Sequence, residues 1–401
     1  MPRPHVHRVT SFGRALFSAT RASLIAAAIA AGTASGLAAQ IVVPTDAPNL
    51  AAAVDLAEAG ETIFVRTSEP QAPVIVAKPL TIVGQPRAYI EVPCGEHAGV
   101  LLAGEGFGRV VLSQMDIVLG AECAFPDAGI AGTGFRELFL DDCLVDTRWS
   151  AFGGVTYGTP AIAVDLPLLT LHATRVFGGG VDADACIGPL PGGGHPGVLA
   201  PNADVVLHDS EVQGGAGGYL CCEWCSCPTS PLGWGGEGGT AVVASNLYLI
   251  DSNVAGGQGA VLDAFPGFEF DGGAMRCATQ PNGAAFDVQS ARNIVSDLAG
   301  TGPLGIGQRW ALEWPGSADF AWLIGSMRHT VPWELGGPDG FGTVFVDLNA
   351  LFLQELVYTG DGSARYELTV PPVLELIGTS VVFQVFEAGP GLSSPVYRVI
   401  G

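Results

Sequence analysis

Val206-Leu207-His208-Asp209-Ser210-Glu211-Val212 is one copy of a leucine-anchored pattern that decides the fold of this chain. Apolar residues alternate up to the anchor, a small residue follows three positions later in four copies, and Val or Ile follows after five. Five copies are anchored at Leu112, Leu140, Leu171, Leu207 and Leu249, and an earlier, weaker copy is anchored at Ile82. In chain order the six anchors are separated by 30, 28, 31, 36 and 42 residues. An intact motif at growing intervals indicates stacked repeats with insertions of variable length.

Each copy is preceded by a second apolar segment, such as Ala161-Ile162-Ala163-Val164 or Gly197-Val198-Leu199-Ala200. Each repeat is therefore predicted to form two or three short strands separated by turns, with one face buried and the other exposed to solvent. One repeat alone cannot bury its apolar face, but stacked repeats share a continuous core. The pattern predicts an all-β chain with a right-handed parallel β-helix over residues 40–300, in which the anchors form one buried column.

The segment before the repeats carries signals for a short helix. The segment Asp46-Ala47-Pro48-Asn49 supplies polar capping residues, an alanine-rich run follows from Ala51 to Ala59, and Gly60 is a stop. "GETIFV" and "KPLTIVGQ" then predict the first strands. This order resembles the N-terminal cap and first layers of secreted pectin-lyase-like β-helix proteins, over roughly residues 41–290. The resemblance implies a helix that closes the end of the stack, and it implies little about activity.

Residues 1–39 are predicted to be a signal peptide. Four arginines precede the short apolar run Leu24–Ala31, and small residues follow before Gln40. A run of that length favours secretion over a membrane anchor, and no later segment approaches a membrane span. We therefore expect a secreted or cell-surface protein.

The acidic charge limits the partners. Without the leader's four arginines the chain has 13 basic and 39 acidic residues, a net charge near −26. Such a surface disfavours nucleic acid. It also disfavours acidic polysaccharides unless calcium bridges the two, so calcium is the one cofactor that remains open.

The repeat pattern of the sequence ends near residue 300. Strands divided by turns follow, and they predict a small antiparallel β-sandwich over residues 301–401. This part resembles a C-terminal module found on many exported bacterial β-rich proteins. The predicted strands cover residues 308–314, 321–327, 342–348, 364–370, 380–387 and 396–400.

Nine cysteines in an exported chain predict disulfides with at least one free thiol. Cys143 occupies the small-residue position of its repeat and is the candidate for a buried thiol. A thiolate metal cluster is the alternative for the dense Cys221–Cys227 segment, but no histidine is interleaved with it. The disulfide candidates are Cys186, Cys221, Cys222, Cys225, Cys227 and Cys277.

Two sets of polar residues recur beside the anchors. Asp142, Asp209 and Asp251 follow them by two positions, either as a calcium or acid–base row or as turn residues bonded to their own backbone. Gln114 and Ala173 interrupt that row, which favours the turn interpretation. His172 and His208 follow by one position and should stack about 5 Å apart on adjacent strands. They are either a metal pair or, as is more common, exposed strand histidines.

The longest insertions follow Gly178 and Gly214, on neighbouring repeats, and loops on a rigid scaffold carry most binding sites. Aromatic rings beside carboxylates suit sugar recognition, whereas the simpler interpretation is that these loops only cover one side. The candidate ligand-binding residues are Asp182, Asp184, His195, Glu223, Trp224, Trp234 and Glu237.

Two functions remain open. The first is a non-catalytic β-helix in adhesion or carbohydrate contact at the cell surface. The alternative is a polysaccharide lyase or glycoside hydrolase, which needs paired carboxylates, or calcium with a basic residue. The Asn-Thr-Asp, Asp-Asp and Gly-His-Gly set of polygalacturonases is absent from the sequence, and Gly194-His195-Pro196 resembles only half of its last element. No catalytic residue can be assigned from the resemblance.

Overall fold

The computed structural model describes most of the chain after the predicted leader. The described residues are 40–93, 96–106, 108–120, 128–148, 159–180, 193–217, 237–259, 282–294, 297–301, 304–315, 320–327, 329–334, 343–358, 364–372, 376, 379–387 and 391–400. The predicted signal peptide lies outside them, as do the six disulfide candidates.

Seventeen strands within the described residues form one parallel sheet, which agrees with the predicted all-β class. Most of them are short, because turns separate the apolar segments. The strands are β1 (Gln40–Val43), β2 (Thr62–Val65), β3 (Val74–Val76), β4 (Thr81–Val92), β5 (Ala98–Ala103), β6 (Arg109–Leu119), β7 (Ala128–Thr133), β8 (Glu137–Asp141), β9 (Leu144–Asp146), β10 (Ile162–Asp165), β11 (Leu168–His172), β12 (Arg175–Phe177), β13 (Val198–His208), β14 (Glu211–Gln213), β15 (Val242–Ile250), β16 (Asn253–Ala255) and β17 (Phe286–Ile294).

The pairings arrange these strands in three columns. The first contains β3, β5, β7, β10 and the first halves of β13, β15 and β17. The second contains β1, β2, β8, β11, the first halves of β4 and β6, and the second halves of β13, β15 and β17. The third contains β9, β12, β14, β16 and the second halves of β4 and β6. One passage through the three columns is called a layer here.

The predicted column of anchors is confirmed. Ile82, Leu112, Leu140, Leu171, Leu207 and Leu249 are successive register partners in the second column. The first five are fully buried, and Leu249 is partly buried against the same core. Each layer therefore buries its apolar face against its neighbours, as expected for stacked repeats.

Helix α1 (Leu50–Leu56) lies at the N-terminal end of the stack, as predicted. The Asn49 side chain accepts a hydrogen bond from the backbone N–H of Ala52 (2.9 Å), which caps the first turn. The helix ends at Leu56 rather than at Gly60, because Ala57 already has an extended backbone. Its buried residues Leu50, Ala53 and Val54 belong to the core of the stack.

After residue 298 the strands are antiparallel. All six predicted strands are present, whereas β18, β21, β23 and β26 were not predicted. The elements are β18 (Ala299–Thr301), β19 (Arg309–Trp314), β20 (Phe320–Ser326), β21 (His329–Glu334), β22 (Thr343–Val346), β23 (Leu351–Tyr358), β24 (Ala364–Thr369), β25 (Ser380–Glu387), β26 (Gly391–Leu392) and β27 (Val396–Val399). They form three small sheets, with a core that includes Trp310 and Phe383.

In the second column, the expectation that the outer face is exposed to solvent is wrong. The residue before each anchor points away from the core, yet Phe139, Val206 and Tyr248 are buried there. They pack against Phe345 and Tyr397 of the antiparallel part in a second apolar cluster. The antiparallel strands therefore cover this side of the stack.

Candidate functional site

The predicted histidine pair stacks on adjacent strands of the second column. His172 and His208 are register partners in β11 and β13, with ring centroids 5.1 Å apart and planes tilted by 29°. The expectation that these side chains are exposed is wrong, since they are 7% and 4% exposed. Both residues follow an inward leucine and so point outward, where Tyr397 of β27 meets the His208 ring edge-on at 5.7 Å.

A chain of hydrogen bonds crosses from the stack to β27 through His172. Asp141 Oδ1 lies 2.6 Å from His172 Nδ1, and Arg398 Nη1 lies 2.9 Å from His172 Nε2. Because a guanidinium can only donate, Nε2 accepts, and the ring proton sits on Nδ1 and is donated to Asp141. Ser113 donates to the other oxygen of Asp141 (2.9 Å). The imidazole orientation is thus fixed from both sides.

His208 differs from its neighbour because neither ring nitrogen has a hydrogen-bond partner within the described part of the chain. Its Nδ1 lies 3.2 Å from Asp209 Oδ2, but the angle does not make a hydrogen bond. Burial lowers the pKa of His208 to about 3, with smaller contributions from its neighbour His172 and from the positive charge of Arg398. His208 is therefore neutral at ordinary pH.

His172, His208 and Asp209 form a group whose ligand atoms lie within 4.8 Å of one another. Nitrogen and carboxylate ligands of this kind suit zinc. However, stacked rings direct their in-plane lone pairs nearly parallel rather than toward one point. An ion shared by both rings would also have to displace either Arg398 from His172 Nε2 or Asp141 from His172 Nδ1. The geometry fits a hydrogen-bonded clamp between the two parts of the chain better than a metal centre.

The backbone conformation explains why aspartate recurs two positions after the anchors. Asp142, Asp209 and Asp251 have φ of 48°, 49° and 47°, and the interrupting Gln114 and Ala173 have 54° and 47°. Aspartate tolerates this left-handed conformation better than most residues. The shared feature of the column is thus a turn, in agreement with the structural interpretation.

The next position forms a ladder of hydroxyl groups across the layers. The backbone N–H of Thr174 donates to Ser210 Oγ (3.1 Å), and the N–H of Ser210 donates to Ser252 Oγ (3.0 Å). Each hydroxyl also donates to the carbonyl two residues earlier in its own turn, at 2.8 Å. Cys143 begins this column as a free, fully buried thiol, as predicted.

A different side of the stack carries the three longest insertions. They begin and end on one line of backbone hydrogen bonds of 2.8–3.0 Å, which we call the glycine ladder. Its members are Gly179, His195, Gly215, Gly239, Gly257 and Gly283, each N–H donating to the carbonyl of the member before it. The predicted neighbourhood of the loops after Gly178 and Gly214 is confirmed at their bases.

Glycine is required at positions 215 and 257 of this ladder, because the backbones approach very closely there. A Cβ on Gly215 would lie 1.9 Å from the Gly179 carbonyl oxygen, and one on Gly257 would lie 1.8 Å from that of Gly215. Such distances are far below any real contact, so a side chain would force the strands apart. The ladder therefore fixes the bases of three insertions side by side.

Two of the seven candidate ligand-binding residues are described, and both lie at this ladder. His195 is half-buried, and burial lowers the pKa of its ring. Glu237 is exposed, and its carbonyl accepts from Gly194 (2.8 Å). Asp182, Asp184, Glu223, Trp224 and Trp234 lie outside the described residues.

Sequence reasoning missed Asp141 and Arg398 as parts of the histidine cluster. The sequence did contain a signal for this burial. At the position immediately before the anchor, which points outward, four copies carry an apolar residue: Val111, Phe139, Val206 and Tyr248. A covered outer face would have predicted that the histidines, two residues further along on the same face, are buried.

No family model matches this chain, and no curated protein was found that matches it in sequence. Within the described part of the chain, no helix reaches the length and hydropathy that crossing a bilayer requires.

Proposed function

We propose that this chain is an exported right-handed parallel β-helix of the pectin-lyase-like type, with a C-terminal β-sandwich-like module. It serves outside the cell or at its surface as a non-catalytic scaffold that contacts polysaccharide through its loop-bearing side. The glycine ladder carries the proposal, because it holds the bases of three long insertions together on one rigid wall. Loops arranged in this way are where scaffold proteins place their binding residues.

The histidine cluster supports a non-catalytic role. The Asp141–His172 hydrogen bond is of the kind that orients a general base. However, His172 is 7% exposed, and Arg398 occupies the nitrogen that would accept a substrate proton. This pair is therefore not placed to act on a bulky glycan.

The net charge of the chain limits the class of polysaccharide that it can bind. A mature chain near −26 repels polyuronates, so a neutral polysaccharide is the preferred ligand. An acidic polysaccharide would need bridging calcium, and its binding would be lost on chelation.

A glycan array with the purified chain tests the proposal. Binding should fall with Glu237→Gln and with the pair Trp224→Ala and Trp234→Ala, whose positions flank or occupy one insertion. Glu105→Gln is the matched control, because Glu105 is an exposed glutamate between β5 and β6, away from the ladder. Equal binding by all variants would place the site elsewhere, and no binding to any glycan would refute carbohydrate contact.

A further inference from the structure

The two ends of the parallel stack differ in how they are covered. At the N-terminal end, α1 packs onto the core through Leu50, Ala53 and Val54. At the other end, β17 follows the same path as β15 one layer later, but its burial is lost. Val242 of β15 is fully buried, whereas its register partner Phe286 is 41% exposed.

One edge of β17 pairs with no other described strand. Among the described strands, β17 pairs with β15 alone, so its opposite edge presents nine residues of backbone at the end of the stack. Unpaired edges of this length are templates for another strand. Proteins usually shorten, charge or cover them, and an exposed apolar edge marks an interaction site.

The register identifies which side chains of β17 lie over the core. Phe286, Val288 and Ala291 continue the positions of the buried Val242, Ala244 and Leu247, and Asn293 continues that of Leu249. Asp287 and Arg292 occupy positions on the opposite face, beside Val243 and Tyr248. The first half of β17 belongs to the first column and the second half to the second, so the strand has two arms.

We propose that this edge is a dimer interface, in which β17 pairs antiparallel with β17 of a second copy of the chain. The two-fold axis passes between Gln289 and Ser290, where the two arms meet. Each Asp287 then lies opposite Arg292 of the second copy, and each Val288 lies opposite Ala291 of the second copy. Phe286 lies opposite Asn293 of the second copy.

Two features select this register: the face of the strand on which each side chain lies, and the charges of Asp287 and Arg292. A shift by one residue would place core-side residues opposite outer-face residues, which strand pairing does not allow, because side chains alternate between faces. A shift by two preserves the faces but separates Asp287 from Arg292 of the second copy. The chosen register brings the opposite charges together twice, once on each side of the axis, as a two-fold interface requires. It also closes the exposed end of each core against the other.

Sedimentation equilibrium of the purified chain tests the proposal at tens of micromolar, a concentration that populates a dimer of micromolar affinity. The chain should sediment with twice its monomer mass. Asp287→Arg alone should weaken association by roughly tenfold or more, because it places like charges opposite each other. The double variant Asp287→Arg with Arg292→Asp should restore the dimer. Glu105→Arg makes the same charge change away from the edge and should leave the dimer intact.

Three outcomes would overturn the proposal. They are a monomeric wild-type chain, a dimer that the single substitution does not weaken, and a double variant that stays monomeric while its circular dichroism spectrum and melting temperature match the parent. Binding of an unrelated strand donor to a monomeric chain would assign the edge to another partner and also contradict the dimer.

Discussion

Arg398 and His172 are 226 positions apart in the chain, yet Nη1 of the arginine lies 2.9 Å from Nε2 of the histidine. The contact joins β27, near the C-terminus, to β11 in the middle of the parallel stack. Arg398 also donates to the carbonyl groups of Tyr397 (2.7 Å) and Gly300 (3.3 Å). This side chain therefore ties the antiparallel part to the layer that carries Asp141 and His172.

Replacing Arg398 by alanine should destabilise the fold by roughly 2–3 kcal/mol, because it leaves a buried ring nitrogen without its charged donor. Denaturant unfolding gives this free energy directly. Arg365→Ala is the control, since Arg365 bonds to Glu313 and Glu367 on an exposed surface, where such pairs contribute at most about 1 kcal/mol. If both variants lost the same free energy of unfolding, the role of Arg398 as a clamp between β27 and the stack would be contradicted.

His208 should make the fold sensitive to acid. Its folded-state pKa of about 3 lies below the usual 6.5, so the unfolded state binds the proton first as pH falls. Stability is therefore retained above pH 6.5 and is lost progressively down to about pH 3. Between about pH 7.5 and about pH 4.5 this group alone should remove roughly 2–3 kcal/mol.

Urea unfolding of His208→Gln at these two pH values measures that contribution as a difference from the parent. The variant should show a smaller loss on acidification, whereas His97→Gln, at an exposed position, should keep the full loss. A parent and a His208→Gln variant with the same pH dependence would show that His208 does not titrate as described.

Gly215→Ala should destabilise the chain by roughly 1–3 kcal/mol, the cost of forcing atoms into a closely packed region. The cause is the 1.9 Å approach of the added carbon to the Gly179 carbonyl. Gly106→Ala is the matched control, because no atom lies within 4 Å of its added carbon. Thermal unfolding compares the two, and a tolerated Gly215→Ala would mean that the glycine ladder can open.

The repeat, the helix cap and the core of this fold were readable from the sequence because each depends on local periodicity. Leu140, Leu171 and Leu207 recur at one position of a motif, and stacking follows from that recurrence. Most strands of residues 308–400 were also visible from alternation, whereas β18, β21, β23 and β26 were not predicted. In β21 the strand signal is weakened by Pro332, which cannot donate a backbone hydrogen bond.

The histidine cluster could not be predicted as a buried site. Its burial depends on Tyr397 and Arg398, which return to the stack more than two hundred positions after His172. No local pattern encodes that distant contact. The sequence predicted that the loops after Gly178 and Gly214 lie on neighbouring repeats. The hydrogen-bond order of the glycine ladder depends on which layers stack, so it emerges only from the fold.

The cysteines give a test of export. We expect Cys186, Cys221, Cys222, Cys225, Cys227 and Cys277 to be oxidised at least in part. Cys143 should stay reduced and resist alkylation in the folded chain, because burial raises the pKa of its thiol to about 12. Non-reducing mass spectrometry with and without denaturant distinguishes these thiols. Four free thiols in the segment 221–227 with one bound zinc would refute the disulfide prediction.

The most direct test of the central claim is to follow a bound polysaccharide over time. A glycan captured by the wild-type chain should keep its chain length and gain neither reducing ends nor unsaturated ends, because the proposed role is contact without cleavage. Size-exclusion chromatography of the glycan, with reducing-sugar and ultraviolet assays, measures all three. Unchanged glycan with retained binding is the predicted result, whereas shortening of the glycan or new unsaturated ends would show a hydrolase or lyase and contradict the account.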